Sequence, residues 1–339
     1  MVIVFGEQMI EFGAEHEASG LLKGSICSAS VDLIQDSKQA ISSYVAASPN
    51  VVLSITATLG NILILTALSH RDSTLHPPSR LLFRCLATTD LGVGVISQPL
   101  FIIHVVSVIN KSWKLCFISE RLAYITAAGL CGVSVFTLTA ISAGRLLALT
   151  LRMRYRELVT LTRIRLVIAL IWFISFANAL LYLLDQRIFL IGCFIVIVTA
   201  VVIATICYFK IYLMLRRQKS RVEDHLNQGR QAASSLNVEK YKKTVLSALW
   251  VHITLVVCNL PYAVVTTVKT IRGNTPSLFI VEAFAATLVF LNSSLNPVLY
   301  CWKIKEVRQA VKQTTANFGC LWKKKDDFSP FVRVKPPPN

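Results

Sequence analysis

LNSSLNPVLY, residues Leu291 to Tyr300, closes an apolar run long enough to cross a membrane, yet it carries two Asn, two Ser and a Pro. Hydrocarbon offers such groups no hydrogen bonds, so they need partners on neighbouring helices. On a helix, Asn292, Asn296 and Tyr300 recur every four residues and form one slowly drifting stripe. Pro297 has no amide hydrogen, which leaves the carbonyl of Ser293 without its usual intrahelical donor and favours a bend. The stretch reads as a polar, bendable segment facing the inside of a helix bundle.

The rest of the chain agrees with a membrane setting. Of 339 residues, 54% are hydrophobic and only 16% charged, which is too apolar for a soluble protein of this length. A span needs about 20 apolar residues, and seven stretches qualify: 44–68, 81–108, 121–149, 164–184, 188–209, 244–268 and 278–301. Several exceed the minimum, so tilted helices are expected.

The formal net charge of +17 raises nucleic acid as a partner. The distribution of charge argues against it. With the N-terminus outside, 24 of the 35 Lys and Arg fall in inner loops and tail, 7 in outer segments, and 4 (Arg84, Arg121, Arg145 and Lys210) within or beside spans. This is the positive-inside bias, and no nucleic-acid-binding module is visible. The start, MVIVFGEQMIEF, lacks a basic flank and a long apolar core and is not read as a cleaved signal.

The nine cysteines show no paired metal-ligand spacing, and those inside spans read as small packing residues. Cys27 and Cys116 both face the oxidising side, where a bridge between them is one alternative and free thiols the other. Asn110-Lys111-Ser112 is a glycosylation sequon in an outer loop. Cys320, in the tail, is a palmitoylation candidate.

Single polar residues stand out within the spans. Asp90 is the only acid in the second, and an intramembrane carboxylate costs about 2.5–3.5 kcal/mol on insertion scales, which favours a functional role over a structural one. A helix rises about 1.5 Å per residue, so depth can be counted from each inner end. Asn61 lies about 10 Å deep, Asp90 and Asn292 about 13, Ser134 about 16 and Asn296 about 8. Four helices thus bring oxygen atoms to one slab around one carboxylate, a set suited to a hard monovalent cation or a proton-linked water cluster.

Pro261 in the sixth span frees the carbonyl of Val257 and predicts a kink with a long inner arm. His252 in that arm reads as a core residue. Only Asp185, Gln186 and Arg187 separate the fourth and fifth spans, too few for a folded lid, so the outer mouth is expected to be comparatively open. Toward that mouth, His104, Glu120, Tyr124 and Glu282 are candidates for ligand contact, Glu120 being either that or an interfacial carboxylate snorkelling to water. After the last span, KIKEVRQAVK predicts a short amphipathic helix on the inner membrane face.

The order and spacing of Gly60-Asn61, LATTD with Asp90, Arg145, Trp172, Pro261 and Asn296-Pro297-Val298-Leu299-Tyr300 resemble the rhodopsin-like G-protein-coupled receptors over residues 44–316. The resemblance implies an all-α bundle of seven transmembrane helices (44–301) after an extracellular segment (1–43), then the amphipathic helix (302–316) and a disordered cytoplasmic tail (317–339). It implies a multi-pass protein of the plasma membrane that transduces an extracellular ligand, peptide, nucleoside or lipid-like, to a heterotrimeric G protein. It also implies a sodium ion on Asp90, with Ser134, Asn292, Ser293 and Asn296, that favours the inactive state. Arg145, Tyr208 and Tyr300 are implied to rearrange on activation.

Departures are equally specific. Gly144 replaces the acid before Arg145, Leu146 the aromatic after it, Asn259 the tryptophan two residues before Pro261, and Ala200 the fifth-span proline. Glu120 stands at the usual disulfide cysteine position. The missing proline, lost cysteine and tiny second outer loop resemble the melanocortin, adenosine, cannabinoid and lysophospholipid branch, with melanocortin receptors closest in pattern. Phe290 and Ala127 replace the residues that carry retinal in opsins and bind amines in amine receptors. Two other functions compete: a seven-helix binding receptor that no longer couples, and a transporter with Asp90 as its coupling site, although no internal repeat supports the latter. No nucleophile, metal or phosphate-loop motif points to an enzyme, and no cofactor beyond the sodium ion is implied.

Overall fold

The computed structural model describes residues 41, 44, 45, 47–69, 76–151, 154–227, 233–273, 275–303, 308, 309 and 311; side chains are described for these except at 218–249, 251, 252, 276, 300, 302 and 303. The outer segment 1–40, Cys27, Cys320 and the tail lie outside the described residues, as do the side chains of His252 and Tyr300.

Among the described residues, seven helices are long and apolar enough to cross a membrane. They are α1 (Pro49–Ser69), α2 (Pro77–Ile109), α3 (Trp113–Leu151), α4 (Leu161–Leu183, its last three residues a 3₁₀ turn), α5 (Gln186–Asn227), α6 (Ala233–Arg272) and α7 (Pro276–Lys303). A separate helical turn, Tyr155–Leu158, follows α3. Burial orders them: α3 has the most enclosed apolar window at 61% and α4 the least at 11%, so α3 is the central post and α4 faces lipid.

Three helices outrun the expected spans. α3, α5 and α6 hold 39, 42 and 40 residues, about 60 Å each at the helical rise, against a bilayer of about 40–45 Å with its headgroups. Hydropathy marks only the part of a helix that lipid or core surrounds, so the sequence missed the polar inner extensions of α5 and α6. It also began the third span eight residues late, at 121 instead of Trp113, which matters for Glu120 below.

Packing depends on small residues where helices meet. A Cβ on Gly60 would sit 3.0 Å from Pro297 Cγ, and one on Gly132 would sit 3.2 Å from Ser175. Polar bonds fix the α1–α7 contact: Asn50 Nδ2 donates to Thr287 Oγ1 at 2.8 Å, and Ser294 Oγ to the Leu53 carbonyl at 2.9 Å. The inner half closes over an apolar cluster that includes Leu68, Leu86, Leu138, Leu255 and Leu299, against which Val311 also packs. Arg308 and Gln309 are exposed and helical, so this short piece of the expected surface helix presents one apolar and one polar side.

α2 is not uniform. Pro99 cannot donate, and the turn before it, Val93–Ser97, widens into a π-helix. Gly94 in that turn lies against Thr58, and Ser54 Oγ donates to the Gly94 carbonyl at 2.6 Å. The wide turn re-aims everything beyond it, including His104.

At the outer end, Asn110 is exposed at the α2–α3 turn and Lys111 takes a left-handed φ of 52°. Cys116 is disulfide-bonded, while the six other described cysteines are free. Cys27, its partner in one of the two alternatives left open by the sequence, lies outside the described residues. Asp185 caps α5, its Oδ1 accepting the backbone N–H of Arg187 at 2.6 Å and of Ile188 at 3.1 Å.

Candidate functional site: a buried carboxylate beneath an outer cavity

The structure joins Asp90 to three of the expected residues. Ser134 Oγ donates to Asp90 Oδ1 at 2.9 Å, and Asn296 Nδ2 donates to Oδ2 at 2.7 Å. The Ser293 hydroxyl lies against the same carboxylate. Asn61 does something else: its Nδ2 donates to the Ala57 carbonyl at 2.8 Å and to the Ser293 carbonyl at 3.2 Å. That second acceptor is the one Pro297 leaves without a helical donor, so α1 supplies the bond that α7 cannot make for itself.

All five residues around Asp90 are buried. The amide oxygens of Asn61, Asn292 and Asn296 have no hydrogen-bond partner. Buried acceptors without donors are uncommon and call for a water or an ion. Among the described residues no cluster of three His, Cys, Asp or Glu could hold a metal. The donor set here is instead one carboxylate with hydroxyl and amide oxygens, the hard, weakly charged kind that suits a monovalent cation.

Both prolines lie inside continuous helices, Pro261 in α6 and Pro297 in α7. Asn259, where a tryptophan was expected, is buried and donates to the Leu255 carbonyl one turn back at 2.8 Å.

Above Asp90 a cavity opens between α2, α3, α4, α5, α6 and α7, with about 100 Å³ for the centres of water-sized molecules. His104, Tyr124 and Glu282 line it, together with Phe189, Asn259 and Phe290. Glu120 does not line it. It is 1% exposed and accepts from the Tyr182 hydroxyl at 2.7 Å. The snorkelling alternative therefore fails, because α3 starts seven residues before Glu120 and carries it two turns into the bundle.

At the outer end the fold brings together a cluster from α3, α4, α6 and α7. Lys269, counted from the sequence among outer-segment charges, is a buried part of α6, and its Nζ pairs with Glu282 Oε2 at 2.5 Å. Tyr124 donates to Glu282 Oε1 at 3.0 Å, and Tyr182 stacks on Tyr124 at 5.1 Å. The last turn of α4, just before the short connection to α5, contributes the Tyr182 side chain to this cluster. Lys269 and Tyr182 were invisible to sequence reading because each lies at the end of a hydropathy window, where composition does not say which way a side chain turns.

At the inner end Tyr208 is buried, and Ser142 Oγ donates to its hydroxyl at 2.7 Å, tying α3 to α5 one turn from Arg145. Arg145 is half-buried. Gly144 beside it has open space: a Cβ there would meet nothing within 4 Å.

Comparison with known proteins agrees with this geometry. The family model described as 7 transmembrane receptor (rhodopsin family) matches residues 60–189 and 184–300. The chain is 25% identical to the adenosine receptor A3 of Ovis aries over 284 residues, 76% of this chain and 86% of that one. It is 25% identical to the histamine H2 receptor of Rattus norvegicus, covering 75% and 74%, and 25% to the adenosine receptor A2a of Canis lupus familiaris, covering 80% and 72%. Adenosine receptors fall in the branch the sequence pattern suggested and histamine receptors outside it, so the similarity fixes the family but not the branch. The chain belongs to the rhodopsin family of seven-transmembrane receptors, and its activity is that of a G-protein-coupled receptor.

Proposed function

We propose that a small ligand entering the outer cavity biases α6 and α7, and that the inner ends of α3, α5 and α6 respond by admitting a heterotrimeric G protein. The receptor works at the plasma membrane with its N-terminus outside, the orientation favoured by the inner excess of Lys and Arg. The single observation carrying this reading is the stacking of the two sites. The cavity and the Asp90 cluster share α3 and α7, and Asn61 of α1 donates to the proline-freed Ser293 carbonyl in the α7 half of the cluster. A two-state element of this kind is what a ligand with unequal affinity for the two states can shift. To move it from 1:99 to 99:1 the ligand must prefer one state by about 5.5 kcal/mol.

The oxygen set around Asp90 fits a sodium ion. Asp90, Ser134, Ser293 and the amide oxygens of Asn292 and Asn296 would hold it, and its charge would balance the carboxylate and favour the arrangement in which α2, α3 and α7 stay together.

Gly144 sets the resting level. No acid precedes Arg145, and the open space at Gly144 accepts a side chain without displacement. Gly144→Asp restores a neighbouring carboxylate, and a partly exposed pair of this kind contributes roughly 0.4–1 kcal/mol, so basal G-protein activation should fall about twofold to fivefold. Guanine-nucleotide exchange in membranes at matched receptor number measures it. Equal basal output from the two proteins would count against an active-prone resting state.

A further inference from the structure

We propose that the outer cavity takes a small organic cation with an aromatic body, and that the ligand's ammonium competes with Lys269 for Glu282. The proposal rests on the reading of the cavity as the ligand site and adds the chemistry of what enters it. The observation behind it is an asymmetry: among the described residues Glu282 is the one formally charged side chain lining the cavity, while its counter-ion Lys269 approaches from α6 and does not line it. An entering anion meets the carboxylate first and is repelled.

The carboxylate has capacity to spare. It presents about four acceptor positions, of which the Lys269 ammonium and the Tyr124 hydroxyl occupy one on each oxygen. A ligand ammonium can bind Glu282 beside Lys269 and then replace it, which keeps the carboxylate paired; the freed Lys269 ammonium, near the outer end of α6, must turn out to water on its flexible stem. The replaced bond is the outer tie between α6 and α7, so the exchange separates the two proline-containing helices and gives the cation unequal affinity for the two states. Tyr124 and Phe290 line the cavity, and the Lys269 ammonium lies 5.8 Å over the Tyr124 ring, a position that a ligand ammonium replacing Lys269 would take over. The cavity also holds polar groups with bonding capacity to spare: the imidazole of His104, which is 2% exposed, and the hydroxyl of buried Ser175, which has no hydrogen-bond partner. These suit a ligand that carries a second polar group on its ring. The usual amine anchor is absent, since Ala127 stands at that place on α3, and the anchoring carboxylate here comes from the opposite wall.

The test uses purified full-length receptor and three probes of one shape: 2-phenylethylamine, the neutral 2-phenylethanol and the anionic 3-phenylpropionate, each read as a shift in thermal unfolding midpoint across a concentration series to 10 mM. Lys269→Met removes the competing ammonium, so its affinity for 2-phenylethylamine should rise at least tenfold over the unchanged receptor, and Glu282→Gln should abolish amine binding. The double exchange Lys269→Glu with Glu282→Lys retains an ion pair for folding and should move the preference from the amine to 3-phenylpropionate. Stabilisation by the alcohol equal to that by the amine, no amine response in Lys269→Met, or unchanged amine preference in the double exchange would each overturn the proposal. The readout needs no G protein, so amine binding without nucleotide exchange would fail the signalling reading alone.

Discussion

Replacing Asp90 with asparagine should abolish the dependence of receptor stability on sodium. The substitution keeps the size and planarity of the side chain and leaves Ser134 and Asn296 with a polar group to meet, so the bundle should persist, but the one formal charge in the cluster is gone. A cation that binds only the folded receptor stabilises it by RT ln(1 + [L]/Kd), about 1.4 kcal/mol when sodium is at ten times its Kd. The unchanged receptor should therefore unfold at a higher temperature in sodium chloride than in the same concentration of N-methylglucamine chloride, and Asp90→Asn at the same temperature in both. The same comparison in nucleotide exchange should show sodium lowering basal activity only when Asp90 is present. An equal sodium response in the two proteins would place the ion elsewhere, and no response in either would leave the orphaned amide oxygens of Asn61, Asn292 and Asn296 to water alone.

The second large effect concerns the contact between α1 and α7. Gly60→Val puts a branched side chain where even a Cβ would lie 3.0 Å and 3.1 Å from the Pro297 ring. That ring is fixed to its backbone and has no rotamer by which to withdraw, so the helices must part. Parting them by a few tenths of an ångström stretches the Asn61 bond to the Ser293 carbonyl, already 3.2 Å, and returns that carbonyl to the unsatisfied condition Pro297 created. Overpacking of this kind costs about 1–3 kcal/mol, which corresponds to a fall of roughly 3–10 °C in the unfolding midpoint. Gly144→Ala is the control, because its added methyl meets open space and the helix gains rather than loses intrinsic stability. If Gly60→Val unfolded at the same temperature as Gly144→Ala, the close approach of Gly60 to Pro297 would not be a constraint on the fold.

The two predictions differ in how much of their basis the sequence already held. Asp90, Ser134 and Asn296 could be assigned to one depth by counting residues from their inner helix ends, and the structure bonds them directly. Asn61 could be placed at a similar depth, but its hydrogen-bond partner could not be read: its amide donates to the Ser293 carbonyl. Depth follows from the fixed helical rise. Direction around the helix axis does not, because it depends on how neighbouring helices dock.

The same distinction explains the outer end. The sequence leaves Glu120 open between an interfacial carboxylate and a ligand contact because hydropathy could not see α3 continuing outward through a stretch containing Lys114 and Ser119. Lys269 read as one more exterior cation, whereas the fold turns it inward to Glu282 across the α6–α7 interface. Burial of a lysine is tolerable only with a counter-charge in place, and that partner lies 13 residues away on another helix. The π-helical turn at Val93–Ser97 belongs here too, since Pro99 signals a disturbance but not its form.

By itself the sequence determined seven spans, the inner bias of positive charge and the level at which polar residues interrupt the hydrocarbon. These follow from quantities local to one segment: length, composition and rise per residue. Only the tertiary structure decided that Asn61 completes the turn broken by Pro297, that Glu120 is interior, and that Lys269 and Glu282 meet beside the cavity. Each of those is a relation between two helices, settled by side-chain packing across their interface, which no single segment encodes.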